Sequence, residues 1–87
     1  MKREDYEWLV KILASVINAA ERGNEISFHV TCSESDSTGE RFCYLSVNQF
    51  RKIDKKSRVV WNDSWMTTEN KDIFGDPEEI VKVVNAL

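Results

Sequence analysis

Over residues 3–22 apolar side chains recur at helical spacing, and just past Gly23 the period drops to two. Tyr6, Leu9, Leu13, Val16, Ile17 and Ala20 follow the i, i+3, i+4, i+7 rule of an amphipathic helix. Glu4, Glu7, Lys11, Asn18 and Arg22 fall on the opposite side, and Trp8, Ile12 and Ala19 widen the apolar stripe. Gly23 supplies a residue that tolerates the left-handed conformation closing such a helix. Ile26, Phe28, Val30 and Cys32 then alternate with Ser27, His29 and Thr31, the pattern of a strand with one face on a core. A long helix feeding directly into a half-buried strand commits the chain to a mixed fold.

Residues 33–40 carry no apolar side chain and read as a solvated loop. Residues 41–47 form a second strand, antiparallel to the first, with Cys43, Leu45 and Val47 on one face and Phe42, Tyr44 and Ser46 on the other. The alternation breaks at Gln49. Asn48 is therefore expected to cap a short helical turn carrying Phe50 and Ile53, the alternative being a strand that runs to Ile53 and turns through residues 54–56. Residues 58–62 read as a short third strand, and residues 63–75 as a long connection pinned by Trp65, Met66, Ile73 and Phe74. The last helix is signalled by Asp76 as N-cap, Pro77 at N1, Glu79 in a capping box, and the stripe Ile80, Val83, Val84 and Leu87.

Eighty-seven residues leave room for one core, so residues 1–87 are read as a single domain. The expected class is α+β: an N-terminal helix, a three-stranded antiparallel sheet and a C-terminal helix in a two-layer sandwich. With both helices on one sheet face, Leu9, Leu13, Val16, Phe28, Val30, Leu45, Val83 and Val84 should be mutually buried.

Several function classes lose ground on residue counts alone. No apolar run is long enough to span a membrane, and the first residues are too charged for a signal-peptide core. Cys32 and Cys43, without an export signal, read as reduced thiols of a cytoplasmic protein, a disulfide across the hairpin being the alternative. His29, Cys32 and Cys43 supply at most three metal ligands, with His29 and Cys32 on opposite strand faces, so neither metal nor cofactor is expected. The single histidine, the scattered glycines at 23, 39 and 75, and the lack of a nucleophile motif argue against an enzyme.

Charge is unevenly spread. Residues 51–58 hold five basic groups and one acid, whereas the other 79 residues hold seven basic and fourteen acidic groups. The chain is dipolar beneath its net charge of −3. The expectation is a non-catalytic protein-binding module, a small inhibitor or immunity-type protein of the kind phages and mobile elements direct against host enzymes. Its partner would be a larger protein, met through that protein's nucleic-acid-binding surface, or a second copy of the chain. Partner contacts are expected from the aromatics Phe42, Tyr44, Trp61 and Trp65, and from the acids Glu4, Glu7, Glu34, Asp36 and Glu40. The alternative is a nucleic-acid-binding domain using Arg51, Lys52, Lys55, Lys56 and Arg58 with neighbouring aromatics.

Overall fold

In a computed structural model that describes residues 2–87, the chain folds as α1 (Arg3–Glu21), β1 (Glu25–Glu34), β2 (Arg41–Ile53), β3 (Lys56–Thr68), β4 (Asp72–Phe74) and α2 (Pro77–Ala86). The α+β class and the antiparallel sheet hold. The sheet has four strands rather than three, in the order β1-β2-β3-β4. The fourth is the three-residue β4, inside the segment expected to be an irregular connection.

Strand β3 is also far longer than expected. It reaches Thr68, and Trp65 and Thr67 lie buried while Ser64 and Met66 are half-buried. The period of two is hidden in the sequence because the inward residue Thr67 is polar. Its hydroxyl donates to Asp72 Oδ1 at 2.8 Å and lies 3.2 Å from Oδ2 of the buried Asp5. One side chain thus ties β3 to β4 and to the first turn of α1.

The expected helical turn at residues 48–57 is absent. Strand β2 continues to Ile53, and Asp54 and Lys55, with φ of 53° and 66°, make the two-residue turn into β3. Positive φ at both central positions matches the right-handed twist of the strands. The break at Gln49 has a different cause: its side chain points inward and Nε2 donates to Asn24 Oδ1 at 3.2 Å.

The C-terminal end of α1 is settled by backbone bonds. Gly23, at φ 100°, closes the helix as expected: its N–H donates to Ala20 O, and Asn24 N–H donates to Ala19 O. The start of α2 also agrees, although the Asp76 carboxylate accepts from Glu78 N–H at 3.0 Å rather than from Glu79.

The core combines Ile12, Val16 and Ala19 of α1, Leu45 and Val47 of β2, Trp65 of β3, and Ile80 and Val84 of α2. Half-buried Leu9 and Phe28 join its margin and Val83 is half-buried, but Leu13 and Val30 are exposed, against expectation. Helix α1 is turned by about a quarter of a revolution from the stripe read in the sequence. It buries Asp5, Ile12, Ser15, Val16 and Ala19, and leaves Tyr6, Leu13 and Ile17 outside. Two features favour this angle. Asp5 must face inward to meet Thr67, and α2 lies alongside, where Arg22 Nη2 donates to Val84 O and Asn24 Nδ2 to Leu87 O.

Cys32 and Cys43 are direct cross-strand partners and are joined as a disulfide, which corrects the expectation of two reduced thiols. The register alone brings them together. The bond spans a sequence separation of 11, and closing so short a loop stabilises a fold by about 3 kcal/mol. Reduction should therefore lower the urea midpoint by the equivalent of ~2–3 kcal/mol. An unchanged midpoint in reductant would mean that the strand pairing alone already holds the hairpin closed. Because cytosolic thiols are kept reduced, the bond couples stability to the redox state of the surroundings.

Candidate binding surfaces

Trp65 is only 2% exposed and forms part of the core, so it leaves the set of partner-facing residues. Trp61 is half-buried, pairs with the inward-facing Gln49, and packs against the core cluster from the helix side. It does not edge the face that holds Phe42 and Tyr44. Those two do lie opposite Cys43, Leu45 and Val47, as the alternation implied, but both are half-buried. Phe74, opposite Met66 in the register, stands edge-on to Tyr44 with ring centroids 6.0 Å apart. Strand β4 thus supplies a cover that the sequence reading lacked. Beyond Tyr44 the outer face is polar, with a shallow hollow lined by Ser46, Asn48, Asn62, Asp63 and Ser64.

The acids expected to meet a partner gather at one end. The loop after β1 is closed by Ser35 N–H to Glu40 O and Gly39 N–H to Ser35 O, both at 2.8 Å. Glu40 Oε1 accepts from Asn70 Nδ2 at 2.9 Å, which brings the turn containing Glu69 alongside. A cleft formed by Tyr6, Leu9, Cys32, Arg41 and Phe42 sets the first turns of α1, with Glu4 and Glu7, against the same end. Glu7 is 3.6 Å from Arg3, an exposed pair of little energetic weight. Among the described residues no cluster of three or more His, Cys, Asp or Glu side chains is placed to hold a metal ion.

Next to this acidic end lies a surface with no counterpart in the expected site. Tyr6, Val10, Leu13 and Ile17 form a continuous stripe along α1 and are 56, 67, 43 and 49% exposed. Val30 of β1, the edge strand beside α1, is also exposed. Isolated exposed apolar residues are ordinary on protein surfaces, whereas a contiguous stripe is not. Its signal was present in the sequence. The apolar arc of α1 is wider than one sheet face can cover, so some of it must stay outside.

The basic residues occupy the other end. Strand β1 begins opposite Phe50, so beyond that pair β2 and β3 continue as a two-stranded ribbon without a neighbour. Every residue from Arg51 to Val60 is exposed. Arg51 faces Arg58 across the ribbon and Ile53 faces Lys56, on the side continuous with Gln49 and Trp61; Lys52 and Ser57 are on the reverse, and Lys55 is at the tip. Ser57 Oγ donates to Glu25 Oε1 at 3.3 Å. Among the described residues none of the five ribbon cations is in an ion pair. The molecule is 45 Å long, and β2 alone runs from the acidic end to the basic one. No described helix is long and apolar enough to cross a membrane.

Comparison with protein-family models, with curated proteins and with solved structures finds no match to this chain.

Proposed function

We propose that this chain is a non-catalytic protein-binding module of the inhibitor or immunity type, which acts by covering a basic surface on a larger protein. The observation that carries the reading is the stripe Tyr6, Val10, Leu13 and Ile17, left uncovered by the rest of the chain, flanked on α1 by Glu7 with Arg3 and Lys11, and lying next to the acidic end of the molecule. An apolar centre with a charged rim is the usual anatomy of a protein–protein contact. The apolar part supplies most of the affinity, and the acidic end beside it selects a basic partner and speeds encounter. A surface built to hold nucleic acid has that chemistry.

The finer architecture belongs to the same proposal. Two helices stacked on one face of the sheet form a two-layer arrangement, and that leaves α1 with a second, outward side for the partner.

Capture from the source cells with wild-type protein and with a Val10→Ala/Leu13→Ala variant tests the reading. Both side chains are largely exposed, so the variant should unfold within about 1 kcal/mol of wild type. Association should weaken by ~1–4 kcal/mol. A partner retained undiminished by the folded variant overturns the assignment of this surface. A large loss of stability would mean that the stripe is core.

A further inference from the structure

We propose that the exposed ribbon from Arg51 to Arg58 is a duplex-DNA-binding arm, separate from the α1 surface and at the opposite end of the molecule.

The ribbon has no evident role within the fold. It is free of the sheet beyond the Glu25–Phe50 pair, no helix covers it, and its side chains are exposed. Its base carries a bulge: Gln49 pairs with Trp61 and Phe50 with Val59, so Val60 is left without a partner. A bulge bends a ribbon and increases its twist, which sets the arm off from the sheet plane. Placing Arg51 directly across from Arg58 is unfavourable for a free hairpin, because opposed like charges repel. Lys56 on the same face and Lys55 at the tip add to the strain, with Asp54 as the only acid in the turn. An anion between the arginines turns that repulsion into attraction.

The shape selects the anion. Three residues per strand beyond the Glu25–Phe50 pair reach about 10 Å, with the Asp54–Lys55 turn at the tip. The major groove of B-DNA, about 12 Å wide and 8.5 Å deep, admits a two-stranded ribbon. The face with Arg51, Ile53, Lys56 and Arg58 would look into the groove, while Lys52 and Lys55 would reach the phosphates flanking it. Single strands are bound chiefly by stacking on aromatics, and residues 51–59 contain none. The major groove of an RNA duplex is too deep and narrow for side chains to read.

Net charge does not oppose the inference. Ten residues of β2 separate Arg51 from Arg41, a distance of about 33 Å. Screening at physiological salt acts over about 8 Å, so the carboxylates near Arg41 hardly weaken the field at the ribbon. Glu25 lies opposite Phe50 at the base of the arm, and its carboxylate accepts from Ser57 Oγ.

Fluorescence anisotropy with a labelled duplex of about 20 bp tests the proposal, between about 50 and 200 mM salt. The same sequence as a single strand, an RNA duplex and polyglutamate serve as competitors. The expected result is binding to duplex DNA with a log–log salt slope of about −3 to −4.5. Arg51→Gln/Arg58→Gln should weaken it at least about tenfold and make the slope shallower by about 2. Since that variant removes an opposed like-charge pair, its melting temperature should stay level or rise. A Lys55→Gln/Lys56→Gln variant, at the tip, repeats the measurement should the first variant fold poorly. No duplex binding at the lowest salt overturns the proposal, as does affinity unchanged in a folded variant. Equal or better competition by single strands, RNA or polyglutamate also overturns it, the last pointing to an acidic protein instead.

Discussion

Substituting alanine for Gly75 is expected to destabilise the fold by about 3 kcal/mol or more, one of the largest effects of any single methyl group in this chain. Gly75 joins β4 to α2 at φ 86°, a conformation that costs an L side chain about 1–2 kcal/mol. The space is closed as well. A Cβ there would run into the carbonyl oxygen of Ser64 and come within 2.8 Å of the Trp65 Cα. Both obstacles are backbone of β3, so they cannot yield as the end of a flexible side chain does. To make room, either β3 must move and carry Trp65 with it, or the chain must lift away and loosen α2, which contributes Ile80 and Val84 to the core. Urea unfolding of Gly75→Ala against wild type measures the loss. A change under about 1 kcal/mol would show that the connection relaxes without disturbing the strand. Gly23 is the informative contrast: it too has positive φ, but nothing lies within 4 Å of an added Cβ, so its replacement incurs only the backbone cost.

Elements that satisfy their own local chemistry were legible in the sequence. Helix α1 with its Gly23 cap, the first hairpin, the facing of Ser27, His29 and Thr31 beside Tyr44 and Ser46, and α2 behind Asp76-Pro77 all follow from spacing and end signals. The reading failed where an inward position is polar. Gln49 faces Asn24, and Thr67 faces Asp5 and Asp72. Each pair interrupts an apolar period in one strand and repairs it with a hydrogen bond from a distant element. Neither partner is visible from the local window. The same blindness rotated α1, since only the tertiary contact between the Thr67 hydroxyl and the Asp5 carboxylate shows why its polar edge turns inward. The candidate sites were legible in proportion to their locality. The basic cluster at 51–58 is contiguous and legible, although its ribbon form stood only as the alternative to a helical turn. The α1 stripe becomes a surface only once the packing angle is known. The aromatic set was over-read, because an exposed and a buried tryptophan look alike in a sequence.

Trp65 supplies the second large expected effect. Its side chain is the largest among the fully buried residues, and it pairs with Leu45 at the centre of the sheet. Replacement by alanine should destabilise the protein by ~3–5 kcal/mol through lost apolar burial and the void left behind. The indole Nε1 nevertheless finds no hydrogen-bond partner among the described residues. A buried donor without an acceptor costs about 1–3 kcal/mol, so the native residue carries a penalty along with its packing. Trp65→Phe separates the two. Phenylalanine keeps most of the apolar contact and removes the orphaned N–H, so relief of that penalty offsets part of the smaller void. The loss should be below about 1.5 kcal/mol, well short of the alanine value. Urea titrations of the two variants, followed by circular dichroism, give both numbers on one scale. If phenylalanine proves nearly as damaging as alanine, the N–H is being satisfied in solution, and the core at Trp65 depends on a polar contact as well as on shape.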